Sequence, residues 1–538
     1  MGEIVVFSKT KCPHCVAAKG LLAALDIPFR EIDISADVKN SMLMSLASQR
    51  HTVPQIFFQE EHIGGADELF GLDHDTLAQR AKAALEAPGV PAFLDAAYSD
   101  TELAAAVIPL KDILDPHLPS DPTALPEYNA VRIWYRTMFG FLCNLYDQMS
   151  LAPEPMALFI GALSSMMSMV EKEIGQYFGM SCLSTAFAAN CSYCAAHGAD
   201  LTLKYAGESP ENIQALFDFL NGRRTLDELP FDDRLKTIAN LSSRMTTQSV
   251  RPEDIARARE AVGLARLQDM VHSVGGMGGV MGFLNRFNDF IGVEIEASIK
   301  QTIDNTALGA DWDWGTHDTA DNDNRHDYRQ EMSPMDGPPP PEAFRGLIGK
   351  VLDEVFTELA PLHAKYGAYD DRWLPAWVGD YPDAHARQSV GALYHAAFNA
   401  GQLAAETKHL AAYVLAAGTR HPVMAADERG IAEMVSDDAV LLRAKLAELE
   451  AYSTGAALPD DTVLTAAEIA AVRLARVSQT FPHQVRGELV LELDRSLKPA
   501  QIVELVIALA VAGMGQRWVN INAPYAEYMY DQREEGAA

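Results

Sequence analysis

Residues 3–83 alternate short apolar runs with segments of helical periodicity. Apolar runs of four to eight residues bounded by turn residues are typical of strands, and a 3.6-residue period is typical of helices. The predicted elements, in chain order, are a strand at 4–7, a helix at 13–25, a strand at 28–34, a hairpin at 55–63 and a helix at 67–85. The pattern therefore predicts a small α/β domain over residues 1–84.

The pattern changes after this domain. Seven prolines interrupt residues 85–127, which predicts a Pro-rich linker with short helices. From residue 128 the periodicity is helical almost everywhere, except at 309–341, where Asp, His, Asn and Pro predict an exposed acidic linker. We therefore expect two all-α domains, at 128–308 and 342–538.

The two helical domains resemble each other. Residues 187–194 align with 415–422, and residues 238–242 align with 474–478. This similarity predicts a tandem repeat whose second copy is degenerate and lacks cysteine. The alternative is two Ala-rich helical domains that are alike only in composition.

Composition and charge narrow the function classes. The formal net charge of −31 excludes partners that need basic patches, such as nucleic acid or an anionic membrane. The N-terminus has neither the basic region nor the apolar core of a signal peptide, and the apolar runs are too short to span a bilayer. We expect a cytoplasmic protein, a compartment in which Cys-x-x-Cys pairs are usually catalytic or metal-binding.

Four of the six cysteines form two Cys-x-x-Cys pairs. Cys12 and Cys15 follow the first predicted strand and open a helix, where free N–H groups and the helix dipole stabilise a thiolate. Lys9 adds local positive charge. Zinc binding is the competing interpretation, but a structural zinc site needs four ligands and this domain has no second pair.

This first domain resembles a glutaredoxin. The resemblance rests on Ser-Lys-Thr-Lys-Cys-Pro-His-Cys at 8–15, Thr-Val-Pro at 52–54 and Gly-Gly-Ala-Asp-Glu-Leu at 64–69. It implies a thioredoxin-like fold, a cis proline facing the cysteines, Cys12 as nucleophile and Cys15 as resolving thiol. It also implies glutathione contacts from Lys9, Thr52, Val53, Pro54, Gly65, Ala66 and Asp67. A thioredoxin is the alternative, although thioredoxins usually carry Gly-Pro between the cysteines.

The second pair lies in a helical stretch and is followed by a histidine. Cys191, Cys194 and His197 are spaced three apart, so they form a slanting row on one helix face. His197 could then take a proton from Cys194, and Cys191 could close a disulfide with it. Two alternatives remain open, namely a core helix with small apolar cysteines and a metal site. The remaining cysteines, Cys143 and Cys182, lie in apolar runs and are expected to be inert.

The helical region resembles the alkylhydroperoxidase D-like group of the carboxymuconolactone decarboxylase family. The resemblance rests on residues 189–197 and on residues 283–289 with the Gly-Val-Glu that follows at 292–294. It implies that the second cysteine attacks peroxide, the first resolves, and a histidine and an upstream glutamate relay protons. That glutamate would fall near Gly179, where the sequence has none, and Glu173 is the nearest upstream acid.

Together these patterns predict a multidomain enzyme, a glutaredoxin fused to a duplicated alkylhydroperoxidase D-like region. Electrons would pass from glutathione through Cys12 and Cys15 to Cys191 and Cys194, and then to a hydroperoxide or a peroxiredoxin-like partner. We expect no metal. Homo-oligomerisation through the helical domains is left open. The alternative function is a non-peroxidatic disulfide reductase, or a carboxymuconolactone decarboxylase-like metabolic enzyme with a regulatory dithiol.

Overall fold

The structure is a computed structural model of the 538-residue chain. It describes residues 2–9, 12–50, 52–95, 98, 100–139, 142–169, 174–205, 208–293, 295–306, 357–367, 371–480 and 485–537. The predicted acidic linker at 309–341 and the upstream acid Glu173 lie outside the described residues.

The N-terminal domain contains a four-stranded sheet of order β2-β1-β3-β4. Its strands are β1 (Ile4–Ser8), β2 (Arg30–Asp33), β3 (Gln55–Phe58) and β4 (Glu61–Gly64), and its helices are α1 (Pro13–Ala24), α2 (Val38–Ser48), α3 (Ala66–Phe70) and α4 (His74–Glu86). β1 runs parallel to β2 and antiparallel to β3, which pairs antiparallel with β4. The predicted α/β domain is thus confirmed, with the closing helix divided into α3 and α4.

Strand β1 is buried on both faces because the sheet separates two apolar clusters. Ile4 and Val6 pack on one side with α1 and α4, whereas Val5 and Phe7 pack on the other side. Both cysteines of the first pair belong to the second cluster. The sheet therefore fixes the position of the loop and helix that carry the first dithiol.

The predicted linker is packed against the rest of the molecule. It contains α5 (Ala92–Asp95), α6 (Asp100–Ala104), strand β5 (Val107–Ile108) and α7 (Lys111–Leu114). Ile108 lies opposite Val485 of strand β6 (Val485–Arg486), and the apolar side chains between the prolines are buried in the main core. The prolines end the short elements, but they do not prevent the apolar residues between them from packing. The segment therefore contains short helices, as predicted, and also contributes to the main core.

The remainder is helical. The helices before residue 307 are α8 (Pro126–Phe139), α9 (Leu145–Met149), α10 (Pro153–Met169), α11 (Ile174–Ala188), α12 (Ser192–Tyr205), α13 (Pro210–Leu220), α14 (Asp233–Thr246), α15 (Pro252–Val262), α16 (Leu264–Ile291) and α17 (Ala297–Thr306). Residues 357–366 are also helical. The later helices are α18 (Ala376–Gly379), α19 (Ala384–Asn399), α20 (Ala405–Gly418), α21 (Pro422–Val435), α22 (Ala439–Ser453), α23 (Ala466–Val477), α24 (Gly487–Ser496) and α25 (Pro499–Ala537).

The two halves of the helical region share a local geometry. Helix α11 packs on α12 and α14, and α20 packs on α21 and α23 in the same order. Asn190 (φ 57°) and Arg420 (φ 62°) both adopt the left-handed conformation in the turns that follow α11 and α20. The next residues, Cys191 and His421, donate backbone hydrogen bonds of 3.0 and 2.9 Å to the preceding helix. This geometry matches Cys191 with His421, two residues from the partner that the sequence alignment gave.

Helices α16 and α25 pack closely along each other and join the halves in one core. A Cβ atom built at Gly275 would lie 3.1 Å from Trp518, and one at Gly279 would lie 3.2 Å from Met514. The glycines of α16 therefore allow the two helices to pack closely. Within α25, the span Pro499–Arg533 is apolar enough to cross a membrane, but 94% of its apolar window is buried inside the protein, as in a core helix.

Candidate functional site: two dithiols and a buried histidine–glutamate pair

The first dithiol lies where β1 leads into α1. Cys12 caps the helix, and its sulfur accepts a hydrogen bond from the backbone N–H of Cys15 at 3.1 Å. The two sulfurs are at disulfide bonding distance. The sulfur of Cys12 also lies 3.8 Å from the carbonyl oxygen of Val53, and the Val53–Pro54 peptide is cis, as the resemblance implied. The helix N-terminus is therefore arranged to stabilise a thiolate on Cys12.

The other predicted glutathione contacts lie before β3, at the start of α3 and directly after β1. Thr52 precedes Val53, and its carbonyl oxygen accepts a hydrogen bond from Gln55 at 2.9 Å. Gly65 caps α3, whose first residue Ala66 is buried and whose second residue Asp67 is exposed. The structure thus brings Val53 and Pro54 next to Cys12 and leaves the roles of the remaining residues as predictions.

Lys9, the other predicted contact, faces the connecting segment. Its Nζ lies 3.4 Å from Oδ2 of Asp115, whose Oδ1 accepts a hydrogen bond from Gln148 at 2.8 Å. Nearby, the hydroxyl of Ser41 on α2 bonds the buried carboxyl of Asp112. Burial raises the pKa of Asp112 to about 6, although Lys111 and Ser41 act in the opposite direction. These contacts hold the N-terminal domain on the helical region.

The second dithiol is buried at the start of α12. Cys191 and Cys194 are 1% and 3% exposed, and their thiols are neighbours that do not form a disulfide in the structure. Burial raises the pKa of Cys191 well above its usual value, and the adjacent Cys194 adds to this effect. The side-chain amide of Asn288 on α16 lies 4.0 Å from the sulfur of Cys191. Cys194 also lines the cavity described below.

His197 was predicted to act on Cys194, but its ring makes other contacts. Its Nδ1 lies 2.8 Å from the carbonyl oxygen of Tyr193, one turn earlier. Its Nε2 lies 2.8 Å from Oε2 of Glu296. Burial alone would lower the pKa of His197, but the Glu296 carboxylate and the Cys143 thiol hold it well above its usual value.

Glu296 supplies the acid that the sequence seemed to lack. It lies between α16 and α17, is 1% exposed, and accepts hydrogen bonds from the backbone N–H of Asn144 at 2.5 Å and from the hydroxyl of Tyr193 at 2.8 Å. Burial would raise its pKa, but His197 and these donors keep it below the usual value. No side chain fits at the predicted upstream position, because a Cβ atom at Gly179 would lie 2.7 Å from Thr202.

Cys143 was expected to be an inert core residue, yet it lies beside this pair. One donor atom each from Cys143, His197 and Glu296 lies within 4.8 Å of the other two. These residue types also bind zinc. Here, however, the imidazole and the carboxylate are within hydrogen-bond distance of each other, as in a proton-relay pair.

A cavity of about 60 Å³ joins these groups. It is lined by Cys143, Cys182, Cys194 and His197, with apolar side chains that include Trp134 and Met281. A buried water needs about 10–15 Å³, so the cavity has room for several water-sized groups. The lining suits a small, largely apolar reactant that meets the three thiols and the imidazole.

A similar polar group occurs in the second half without a thiol. Glu428 receives the hydroxyl of Tyr394 at 2.9 Å and lies 2.7 Å from Nδ1 of His409. Both His409 and Glu428 are buried. This group reproduces the Tyr–Glu–His contacts of the first half, but the second half has no cysteine to react.

Comparison with known proteins identifies the N-terminal domain. Residues 4–63 match the glutaredoxin family model. Glutaredoxin 3 of Escherichia coli K12 is 40% identical over 73 residues, which are 14% of this chain and 88% of the relative. Glutaredoxin-C2 of Arabidopsis thaliana is 37% identical over 76 residues, which are 14% of this chain and 68% of the relative. No solved structure matches the chain. These matches do not support the alkylhydroperoxidase D-like assignment of the helical region, which stays a proposal.

Proposed function

Because its N-terminal domain makes this chain a member of the glutaredoxin family, we propose that the chain is a two-site, glutathione-linked oxidoreductase. The N-terminal domain is a glutaredoxin-like thiol oxidoreductase. The observation that carries the proposal is its Cys12–Cys15 pair at disulfide distance, on the same polypeptide as a second, buried dithiol. In the proposed reaction, Cys12 and Cys15 pass electrons from glutathione to Cys191 and Cys194.

The first half-reaction follows thiol–disulfide exchange. One glutathione thiolate attacks the Cys12–Cys15 disulfide, which gives a Cys12–glutathione mixed disulfide and frees the Cys15 thiol. A second glutathione releases oxidised glutathione and leaves two thiols. The Cys12 thiolate then attacks the Cys191–Cys194 disulfide, and Cys15 resolves the mixed disulfide, so two electrons reach the helical domain. Lys9, Thr52, Val53, Pro54, Gly65, Ala66 and Asp67 are the proposed glutathione contacts.

The second half-reaction uses the cavity in the helical domain. The small volume and apolar lining of the cavity favour a hydroperoxide as the substrate. Reduction of ROOH by two thiols yields ROH, water and the Cys191–Cys194 disulfide. The imidazole of His197, held by Glu296, is placed to carry a proton to the leaving alkoxide. This chemistry agrees with the alkylhydroperoxidase D-like resemblance that the sequence suggested.

The second helical half has a structural role in this proposal. Its helix α25 packs along α16, which carries the residues beside the dithiol. In this proposal, the cysteine-free repeat at 342–538 covers the repeat at 128–308, as a second subunit would do in a protein with a single copy. The acidic chain is proposed to act in the cytoplasm, without a nucleic-acid or membrane partner, and self-association through the helical region remains part of the proposal.

Hydroperoxide turnover tests the proposal. Glutathione should support consumption of cumene hydroperoxide by the full chain. Cys12→Ser should abolish this activity, and a separate glutaredoxin should restore it because it can replace the missing donor. An unchanged rate in Cys194→Ser would show that the helical dithiol does not take part.

One observation favours a second candidate. The imidazole of His197 contacts Glu296 and the carbonyl oxygen of Tyr193 through its two ring nitrogens. A histidine held in this way suits a non-peroxidatic disulfide reductase, or a carboxymuconolactone decarboxylase-like enzyme in which the dithiol regulates activity. Rapid exchange with disulfides and no turnover of peroxides would identify this candidate.

A further inference from the structure

Cys143 is held next to the histidine–glutamate pair by its own backbone. The following residue, Asn144, donates its backbone N–H to Oε1 of Glu296 at 2.5 Å. This bond fixes the chain at Cys143 relative to the carboxylate, and the thiol faces the ring of His197, whose pKa it helps to raise. A nucleophile, a base and a carboxylate that orients the base therefore lie within one buried cluster.

We propose that Cys143 is the thiol that attacks the hydroperoxide, with His197 as its base and Glu296 as the residue that positions the imidazole. This inference rests on the proposed function, because it names the attacking thiol of the same cavity. Three observations support it: the shared cluster, the common cavity and the hydrogen bond that anchors the neighbouring backbone.

The reaction balances with the thiols that the cavity contains. His197 takes the proton of the Cys143 thiol, and the thiolate attacks the terminal oxygen of ROOH. The O–O bond breaks, His197 returns the proton to the leaving alkoxide, and the products are ROH and a sulfenic acid on Cys143. Cys194 then attacks this sulfenic acid, which forms a Cys143–Cys194 disulfide and releases water. Cys191 attacks Cys194, so that Cys143 regains its thiol and the Cys191–Cys194 disulfide is left for the N-terminal domain to reduce.

Cys182 provides a matched control. It is buried and lines the same cavity as Cys143. Burial raises its pKa far above the usual value, and the Cys194 thiol raises it further. Burial raises the pKa of the Cys143 thiol as well, but His197 acts in the opposite direction there. Cys182 thus shares the cavity and the burial of Cys143 and differs in its charged neighbours.

Alkylation of the reduced full chain tests the activation of Cys143 without any peroxide. Iodoacetamide at pH 7, followed by peptide mapping, should label Cys143 at least about 10-fold faster than Cys182. His197→Gln and Glu296→Gln should each slow the labelling of Cys143 by about 10-fold or more and leave that of Cys182 unchanged. Equal labelling of the two cysteines, or no effect of either substitution, would overturn the proposal.

Peroxide mapping separates this inference from the proposed function. One equivalent of cumene hydroperoxide with dimedone should place the sulfenic-acid adduct on Cys143 in Cys194→Ser. An adduct on Cys194 in Cys143→Ser at the wild-type rate would overturn the inference while supporting hydroperoxide reduction. Oxidation of no cysteine would contradict the hydroperoxide half of the proposed function, and the alkylation result would still decide whether His197 activates Cys143. Stoichiometric zinc that is lost in Cys143→Ser would also overturn the inference, because the thiolate would then bind metal.

Discussion

Nε2 of His197 and Oε2 of Glu296 lie 2.8 Å apart in the buried interior, although the two residues are far apart in the chain. The histidine comes from α12, which also carries Cys194, and the glutamate comes from the turn after α16. The hydroxyl of Tyr193 and the backbone of Asn144 hold the same carboxylate. The acidic residue of this site, Glu296, therefore follows the dithiol in the sequence, whereas the resemblance had placed it before the dithiol.

Replacing the carboxylate should change the chemistry of this site more than its shape. Glu296→Gln removes the charge that raises the pKa of His197, so this pKa should fall and the imidazole should become a weaker base. We expect hydroperoxide turnover to fall by about 100-fold, within the usual range for lost acid–base catalysis. The pKa that His197 contributes to the pH dependence of turnover should therefore fall. The chemical shifts of the imidazole ring, measured by NMR as a function of pH, give this pKa directly.

Glu428→Gln is the matched control for that substitution. Glu428 makes the same kinds of contact with Tyr394 and His409, but its half of the protein has no cysteine. This variant should unfold more easily and retain the wild-type turnover of its folded fraction. Equal losses of turnover in both variants would indicate that Glu296 matters only for stability.

The contact between the N-terminal domain and the helical region should weaken as the pH rises through about 6. Burial raises the pKa of Asp112 to about 6 in the folded protein from 3.8, so the folded state favours the neutral carboxyl. The stability that this group contributes is therefore complete below pH 4 and is lost as the pH rises through 6. The shift corresponds to about 3 kcal/mol.

Asp112→Asn should remove this pH dependence. The amide keeps a hydrogen-bonding partner for Ser41 and does not ionise. The hydrogen-exchange protection factors of the α2 amides should fall between pH 5 and pH 8 in the wild type. In the variant they should stay constant over the same range. Parallel profiles in the two proteins would contradict the assignment to Asp112.

The close approach of α16 and α25 should not tolerate a methyl group. A Cβ atom at Gly282 would lie 2.9 Å from Cγ of Arg517 and 3.0 Å from the carbonyl oxygen of Gly513. Because a backbone atom cannot move aside cheaply, Gly282→Ala should lower the free energy of unfolding by about 1–3 kcal/mol. Gly20→Ala on α1, which meets nothing within 4 Å, should be neutral or stabilising by up to about 1 kcal/mol. Denaturant unfolding measures both, and a neutral Gly282→Ala would mean that the helices can separate.

Removal of residues 342–538 should expose the face of α16 that packs on α25. Both halves share one apolar core, so the truncated chain should aggregate or lose cooperative unfolding. Residues 1–84 contain the first apolar cluster of the N-terminal domain and all buried members of the second except Phe93, so this domain should remain soluble when it is expressed alone. Light scattering distinguishes these outcomes, and a soluble, fully active truncated chain would contradict the structural role of the second half.

The sequence predicted the features that depend on neighbouring residues. The apolar run of β1, the Cys-x-x-Cys pair at the start of α1 and the helical periodicity after residue 128 all have local causes. The first dithiol could therefore be located from the sequence alone.

The sequence did not reveal the partners of His197. Glu296 follows α16 and reaches the site only after the chain has crossed the core, so no local spacing connects it with Cys194. The local sequence around Glu296 shows only an acidic residue in a short apolar stretch, with Val293 and Ile295 before it, at the boundary between two helices. Cys143 lies among apolar residues and resembles a core position until the fold places His197 beside it. The packing of residues 103–114 was not predicted, because prolines interrupt the apolar residues of this segment and hide their periodicity.

The redox state of Cys191 and Cys194 after glutathione is added tests the relay most directly. The full chain is oxidised with hydroperoxide, mixed with glutathione, quenched with acid and alkylated, and the Cys191–Cys194 disulfide is quantified by peptide mapping. The account predicts rapid reduction in the wild type, at least about 100-fold slower reduction in Cys12→Ser, and recovery when the separate domain 1–84 is added. Reduction at the wild-type rate in Cys12→Ser without that domain would contradict the account.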